Sequence, residues 1–435
     1  MDKVYTPFRR ITIPVYGSVD ITGLIGVINN PSFQRLRGVR QLGLSENIFP
    51  GAIHTRFEHS LGAMAQCREF IYPMVRKDLF HMDLARTLEI AALLHDVGHA
   101  PFSHVFENLL HCYSSLYKNH NDRTRSIITA DLWGPICDAG ADPKCVADIA
   151  VKAHPSAQII SHKSIGAEKI AYVRADQHHC GFPPTPLMIG DLSENLLYLD
   201  NTFGVDERMV PRVMEIQRYY FSMYSEVYLR KGTLALERVA NRQLQLFFED
   251  GRLNPDDVWG MTDFDLTRKL LDLGAEEFPK QLYSGKRELL KAAVVLTLPG
   301  HESKELTRGK PILSLPMDKP SDFFAYYSDP RHVLEAERAL SSELSIPLED
   351  LVFACSYDPV RLLPQDVAIF TPDGQPMATL NSRYPSHVDA CLELAKGVSA
   401  CRVMVALDQR KRVADAARTV YDVLYAPLNS ASGSI

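Results

Sequence analysis

No run of about 18 apolar residues occurs in this chain of 435 residues, so a membrane-spanning helix is not expected. No Cys-x-x-Cys pair occurs either. The 8 cysteines are scattered, with Cys137 and Cys145 the nearest neighbours, which suits free thiols in a reducing compartment better than a disulfide frame or a cysteine zinc site. The opening residues Met1-Asp2-Lys3-Val4-Tyr5-Thr6-Pro7 lack the apolar core of a signal peptide, and a cytoplasmic protein is expected. Positive charge is not in excess. Lys+Arg 47 against Asp+Glu 53 gives a net charge of −6, which argues against a general nucleic-acid binder and leaves only a local basic patch open. A P-loop is missing as well, because Ser284-Gly285-Lys286-Arg287 lacks the preceding glycine and the strand-to-helix context. There is no internal repeat.

What is present describes an ordinary globular protein: 46% hydrophobic and 23% charged residues, over a length that favours two domains. Ile11, Ile13 and Val15 alternate as in a strand, with Tyr16-Gly17-Ser18 reading as the turn that ends it. From about Asn30 to Ala240 the spacing is helical. Leu84, Leu88, Ala91 and His95 follow one another at steps of four, three and four, so they share a stripe. Further helices are expected at 104–112, 122–132, 164–178, 210–247 and 263–272. The long one carries Tyr219, Tyr220, Tyr224 and Tyr228, which by spacing alone read as packing rings. Beyond about residue 295 the character changes. Leu298-Pro299-Gly300 and Gly309-Lys310-Pro311 look like a linker or exposed loop. Strands are then expected at Val352–Cys355, Val367–Phe370 and Val403–Leu407, with a helix over Val413–Leu424 and a disordered tail over Asn429–Ile435. The expected division is a helical region over 1–295 and a smaller α+β region over 296–435.

Two runs carry the chemistry: Arg56-Phe57-Glu58-His59-Ser60-Leu61-Gly62 and Ala91-Ala92-Leu93-Leu94-His95-Asp96-Val97-Gly98-His99. A lone helical histidine is usually a packing or surface residue. Here an aspartate sits beside a histidine in an otherwise apolar stretch, and burying that carboxylate without a cation or strong donor would cost several kcal/mol. Imidazoles plus a carboxylate are a ligand set for a borderline divalent metal, and metal with water points to hydrolysis.

The pattern His59 … His95-Asp96 resembles the HD phosphohydrolase superfamily. Phe33-Gln34-Arg35-Leu36-Arg37, Gln41-Leu42-Gly43, Phe49-Pro50-Gly51-Ala52, the Arg56–Gly62 run and His95–Phe106 narrow the likeness to its deoxynucleoside triphosphate triphosphohydrolases. The likeness is dense over about residues 25–110, patchier to about 240 and very weak in the C-terminal third. It implies a mostly α fold, an HD-domain helical core with a smaller α+β C-terminal region. It also implies His59, His95 and Asp96 as metal ligands, with Glu168 standing where the family has a fourth ligand, an aspartate. Gln41, Leu42, Arg56, Lys169, Tyr172, Asp176, Tyr228 and Lys231 match positions that contact the nucleotide. His99, His104 and His120 match histidines facing the α-phosphate, with Glu107 as the carboxylate behind them. Departures from the pattern are Ala171, Ala175 and Asn121.

The resemblance implies a nucleotide substrate hydrolysed to nucleoside and inorganic triphosphate. The implied cofactor is Mn²⁺, Fe²⁺ or another first-row ion, with Mg²⁺ possible on the phosphates. A homo-oligomer, dimer or tetramer, is also implied. Another HD hydrolase activity (a nucleotide phosphatase or nuclease), or a nucleotide-sensing protein with weakened catalysis, stays open at this point.

Overall fold

The computed structural model describes residues 8–183, 188–275, 290–301, 306–307, 310–311, 313–356 and 358–431. The expectations placed on Met1–Pro7, on Ser284–Arg287 and on Gly309 lie outside these residues.

Ile11 and Ile13 do sit in a strand, β1 (Arg10–Ile13), paired antiparallel with β2 (Gly17–Asp20). The turn falls earlier than expected. Pro14 has no N–H to give the ladder, so the strand stops there, and Val15 turns the chain with φ 70°.

Helix α1 (Arg56–Arg76) starts on Thr55, whose hydroxyl accepts from the Glu58 amide. A short connection folds α2 (Met82–Leu94) back along it. Leu61, Met64 and Ile71 of α1 and Leu88 and Ala91 of α2 are fully buried in one core, so each contributes about 1.5–3 kcal/mol if a large apolar side chain. This packing brings the start of α1, with His59, against the end of α2, with His95.

The chain continues through α3 (Glu107–Tyr113), α4 (His120–Thr129), α5 (Pro143–Ala150) and α6 (Ala167–His179). Gly98 lets α4 approach closely, because a Cβ there would run into the His120 carbonyl oxygen and Thr124. Strands β3 (Leu196–Leu199) and β4 (Thr202–Asp206) interrupt the helical stretch, a hairpin that helical spacing did not announce. The expected helix 210–247 is two: α7 (Val210–Met223), a π turn over Tyr224–Tyr228, and α8 (Lys231–Glu249) after a break at Arg230, whose ψ of 126° is extended. Helix α9 (Asp263–Asp272) begins on a Thr262 capping box.

Residue 295 lies inside β5 (Lys291–Thr297). This strand joins β6 (Leu313–Pro316), β7 (Leu351–Ala354) and β10 (Ala400–Val405) in the order β6-β5-β10-β7. Between them come α10 (Pro330–Leu344) and two strands, β8 (Ala368–Phe370) and β9 (Pro376–Thr379). β8 pairs parallel with β4, giving a second sheet of order β9-β8-β4-β3 that draws the C-terminal region onto the helical core. The last helix, α11 (Ala417–Ala431), reaches into the stretch expected to be disordered; residues 432–435 lie outside the described ones. All 8 cysteines are free thiols, as expected. Among the described residues no helix is long and apolar enough to cross a membrane.

A buried ion cluster fastens α8 to the C-terminal sheet. Glu337 of α10 is 0% exposed; it accepts from Arg238 Nε at 2.8 Å and Nη2 at 2.9 Å, from Arg242 Nη1 at 3.5 Å and from the Phe353 amide at 3.0 Å. Removing the acid leaves the Arg238 guanidinium without its bidentate carboxylate in a closed interior. Glu337→Ala is expected to lower unfolding free energy by about 3–5 kcal/mol, read as a lower urea midpoint. An unchanged midpoint would mean that the cluster is not a structural tie.

Candidate metal centre and adjoining cavity

His59 comes from the first turn of α1, and His95 and Asp96 follow the last turn of α2. The two imidazole Nε2 atoms are 3.3 Å apart. Asp96 places Oδ2 3.4 Å from the His59 Nε2 and Oδ1 3.3 Å from the His95 Nε2. Ligands about 2.1 Å from a common ion, at tetrahedral to octahedral angles, stand roughly 3.0–3.4 Å apart. The residues therefore fit a divalent ion. The His95 ring is set for it: Nδ1 is 2.8 Å from the Ala92 carbonyl oxygen, which holds the proton there and leaves the Nε2 lone pair facing the cluster.

The three groups of the cluster are shifted in different directions: burial works against a charged His95, but Asp96 outweighs it and raises that imidazole. Burial pushes the His59 imidazole down to about 4, so it is a neutral donor at physiological pH. Burial opposes the charge on Asp96, but Arg56, His95 and His99 outweigh it and hold its carboxyl well below the usual range. Arg56 forms an ion pair with Asp96 through Nη1, and its Nε donates to Ser103 Oγ at 2.8 Å. Ser103 and Phe102 both lie in the left-handed region, at φ 59° and 56°. Asp263 at the start of α9 holds this strained turn, accepting from the Phe102 amide at 2.6 Å and the Arg40 amide at 2.8 Å.

Beside the cluster stand three more histidines. His99 Nε2 is 3.3 Å from Asp96 Oδ1, and its ring stacks on His120 with centroids 4.1 Å apart. Glu107 is shared: Oε2 lies 2.7 Å from His104 Nδ1, and Oε1 pairs with His120 Nδ1. Although Glu107 is largely buried, hydrogen bonds and charge from His104 and His120 hold its carboxyl far below the ordinary range. His99 is buried; burial and the charges of Arg56 and His120 push its imidazole well down. His104 is the exposed member, with 62% of its side chain accessible, and it lines an adjoining cavity.

That cavity is about 600 Å³, and its wall includes Gln41, Leu42, Arg56, His104, Glu168, Tyr172, Asp176 and Tyr228. The sequence-matched residues thus converge from five elements, with three departures from the expected arrangement, at Glu168, Lys169 and Lys231. Glu168 faces the cavity near the cluster, and Lys152, His95 and His59 hold its carboxyl low against the effect of burial, but it is not among the residues whose ligand atoms lie within 4.8 Å of one another. Lys169 turns inward. Its Nζ donates to Tyr172 Oη and sits 3.2 Å from the Tyr220 ring centroid, and burial pulls its ammonium well below the usual range. Lys231 opens α8 and is not on the cavity wall.

The π turn aims Tyr228 at Asp176, whose Oδ2 accepts from the tyrosine hydroxyl at 2.6 Å. Asp176 Oδ1 meets His54 Nε2 at 2.8 Å, and both side chains are almost fully enclosed. His54 in turn stacks on His179 at 4.2 Å, and His179 reaches Glu58 at 2.7 Å. Sequence reasoning missed His54, although it stands two residues ahead of the Arg56–Gly62 run. Tyr220 and Tyr224, read from spacing as packing rings, pack against each other and also line the cavity.

Residues 56–133 match the HD domain family model. That stretch of the chain is therefore an HD domain. The chain is 46% identical over 99 residues to the deoxynucleoside triphosphate triphosphohydrolase SAMHD1 of Gallus gallus, which covers 22% of this chain and 16% of that protein. It is 29% identical over 233 residues to the uncharacterized protein YwfO of Bacillus subtilis (strain 168), covering 51% of this chain and 52% of that one. The matches thus span about half the length of the curated relatives or less. Two solved structures share the fold: a hypothetical protein from Aquifex aeolicus (TM-score 0.68, 20% identity, 94% of this chain and 99% of that chain) and a phosphohydrolase from Bacteroides thetaiotaomicron (TM-score 0.64, 20% identity, 92% and 99%).

Proposed function

We propose that this protein is a metal-dependent phosphohydrolase that cleaves deoxynucleoside triphosphates to nucleoside and inorganic triphosphate. The observation that carries the reading is the His59, His95 and Asp96 cluster, spaced for one ion, beside a cavity whose wall bears Arg56, Tyr172, Asp176 and Tyr228. The local identity to a named triphosphohydrolase adds to it. Those three side chains, with Glu168 as a further oxygen donor, would hold a divalent first-row ion, which would supply Lewis acidity for the hydrolysis; Mg²⁺ would suit the same chemistry.

The protein's own residues do the rest. Arg56, forked between Asp96 and Ser103, meets the charge that grows on the α-phosphate. Asp176, oriented by His54 and Tyr228, accepts the sugar 3′-hydroxyl, while Gln41 and Leu42 close around the ribose. His104, its Nδ1 held by Glu107, gives a proton to the departing 5′-oxygen; His120 on the other oxygen of Glu107 keeps that carboxylate ionised and placed. Assembly into a dimer or tetramer belongs to the same reading.

One observation favours a second reading, nucleotide binding without turnover: Glu168 stands off the cluster and Lys169 is sequestered under Tyr220. Incubation with the four dNTPs and four rNTPs under several divalent ions, with products separated by ion exchange, tests both. Intact triphosphate from dNTPs is the expected result. Phosphate or pyrophosphate would indicate a different HD hydrolase, and no product under any ion would favour the sensor.

A further inference from the structure

The turn after α2 carries Asp96 and His99, and its main chain is gripped at every carbonyl from His95 to His99. Carbonyls at and just past a helix end lack a partner within the helix, so each needs a donor from elsewhere. Two are met without charge: His95 O accepts from Thr124 Oγ1 at 3.3 Å, and Asp96 O accepts from the His99 amide at 3.1 Å. The other three are met by arginine. Arg35 Nη2 donates to Val97 O at 3.2 Å and to His99 O at 2.6 Å. Arg123, on α4, donates through Nη1 to Gly98 O at 3.2 Å and to His99 O at 3.3 Å. The two guanidiniums thus share the carbonyl of His99.

Two cations are a costly way to satisfy neutral oxygens. Arg123 is buried, and the Arg35 Nε is enclosed without a partner. Among the described residues neither guanidinium forms an ion pair. Asp263, whose charge reaches Arg35, spends its oxygens on the Phe102 and Arg40 amides. Burial, helped by Arg123, pushes Arg35 down to about 9, and burial pushes Arg123 down to about 10. Neutral donors would serve these carbonyls without that cost. What the guanidiniums add is stiffness, because a charged donor bonds about twice as strongly and its planar fork fixes direction. Arg35 also donates Nη1 to Met261 O at 2.8 Å, so the turn is tied to the segment before α9 on one side and to α4, which carries His120, on the other.

We propose that Arg35 and Arg123 are positioning residues that brace this turn so that His99 is fixed between Asp96 and His120. His99 has no other anchor as firm: its Nε2 lies 3.3 Å from Asp96 Oδ1 and its ring stacks on His120 at 4.1 Å. The three residues of the metal cluster have holds of their own. Arg56 pairs with Asp96, the Ala92 carbonyl orients His95, and His59 is on α1. Neither Arg35 nor Arg123 lines the cavity, so they act on His99 and not on the substrate.

The kinetic readout rests on the hydrolysis reading, and the structural readout does not. kcat, KM and metal content are measured for Arg35→Ala, Arg123→Ala, His99→Ala and the double variant Arg123→Ala/His99→Ala, with the dNTP that wild type turns over fastest. Either arginine variant is expected to lower kcat about 10- to 100-fold, with KM within about threefold of wild type and metal content unchanged. In the His99→Ala background, Arg123→Ala is expected to cost less than about twofold more, because the side chain it places is gone. A fall in metal content, a KM effect with kcat intact, no loss of kcat in His99→Ala, or full additivity in the double variant would overturn the proposal and leave hydrolysis standing. If Arg123→Ala does not fold, Arg123→Lys serves in its place: it keeps the charge and loses the fork, and the same fall in kcat is expected. If wild type releases no product from any nucleotide, the hydrolysis reading falls and crystal structures decide. His99 Nε2 more than about 1 Å farther from Asp96 in the variant supports the brace, and an unchanged contact overturns it.

Discussion

Asp96→Asn is expected to empty the metal centre and lower turnover by at least about a thousandfold. The substitution keeps the side-chain shape and removes only the charge that four neighbours depend on. Asp96 puts Oδ1 3.3 Å from the His95 Nε2 and the same distance from His99, and Oδ2 within reach of His59 and Arg56. Its charge offsets the cost of enclosing the Arg56 guanidinium, so the variant also loses about 3–5 kcal/mol of stability. Metal content by mass spectrometry and turnover should fall together. Turnover that persists in a metal-free variant would remove the cluster from the chemistry.

The second large effect is expected at Glu107. Glu107→Gln is expected to lower kcat by roughly 10²–10⁴ while leaving bound metal in place, because the two histidines proposed for proton transfer lose their shared carboxylate and the three proposed ligands are untouched. Its effect on stability has a definite sign. In the folded protein His104 and His120 hold the Glu107 carboxyl below its ordinary 4.5, so the stabilisation is fully present at neutral pH. It is lost only as acid carries the pH down past that ordinary value and through the depressed one. Glu107→Gln should therefore be less stable than wild type at pH 7 and converge with it in strong acid. A parallel offset at every pH would mean that the carboxylate gains nothing from the two histidines.

The metal cluster was legible because its members are close in sequence and each lies at a helix end. A histidine in the first turn of one helix and a His-Asp pair after the last turn of the next meet once the helices fold back on each other. Residues Lys169, Tyr172 and Asp176 show where periodicity stops being informative. Their steps of three and four place them on one face, and Tyr172 and Asp176 do line the cavity. Lys169 could not be placed by periodicity, because what turns its ammonium away is the Tyr220 ring, 51 positions later in the chain.

His54 was missed for a related reason. Its meaning comes from Asp176, 122 positions away, and a lone buried histidine carries no local sign of that partner. The break at Arg230 was hidden because Tyr224–Tyr228 keeps near-helical spacing through its π turn, and that spacing carries no sign of the new start at Lys231. Strands β3 and β4 were hidden for a different reason. They are short, and β4 is completed by β8, which arrives from about 160 residues downstream.

The central claim is that His59, His95 and Asp96 grip one ion at the edge of a nucleotide-sized cavity. Diffraction from crystals grown with manganese, recorded above and below its absorption edge, tests this directly. The account predicts a single strong anomalous peak within about 2.3 Å of both imidazole Nε2 atoms and an Asp96 oxygen. Anomalous density elsewhere, or none with the His59 and His95 rings turned apart, would contradict it.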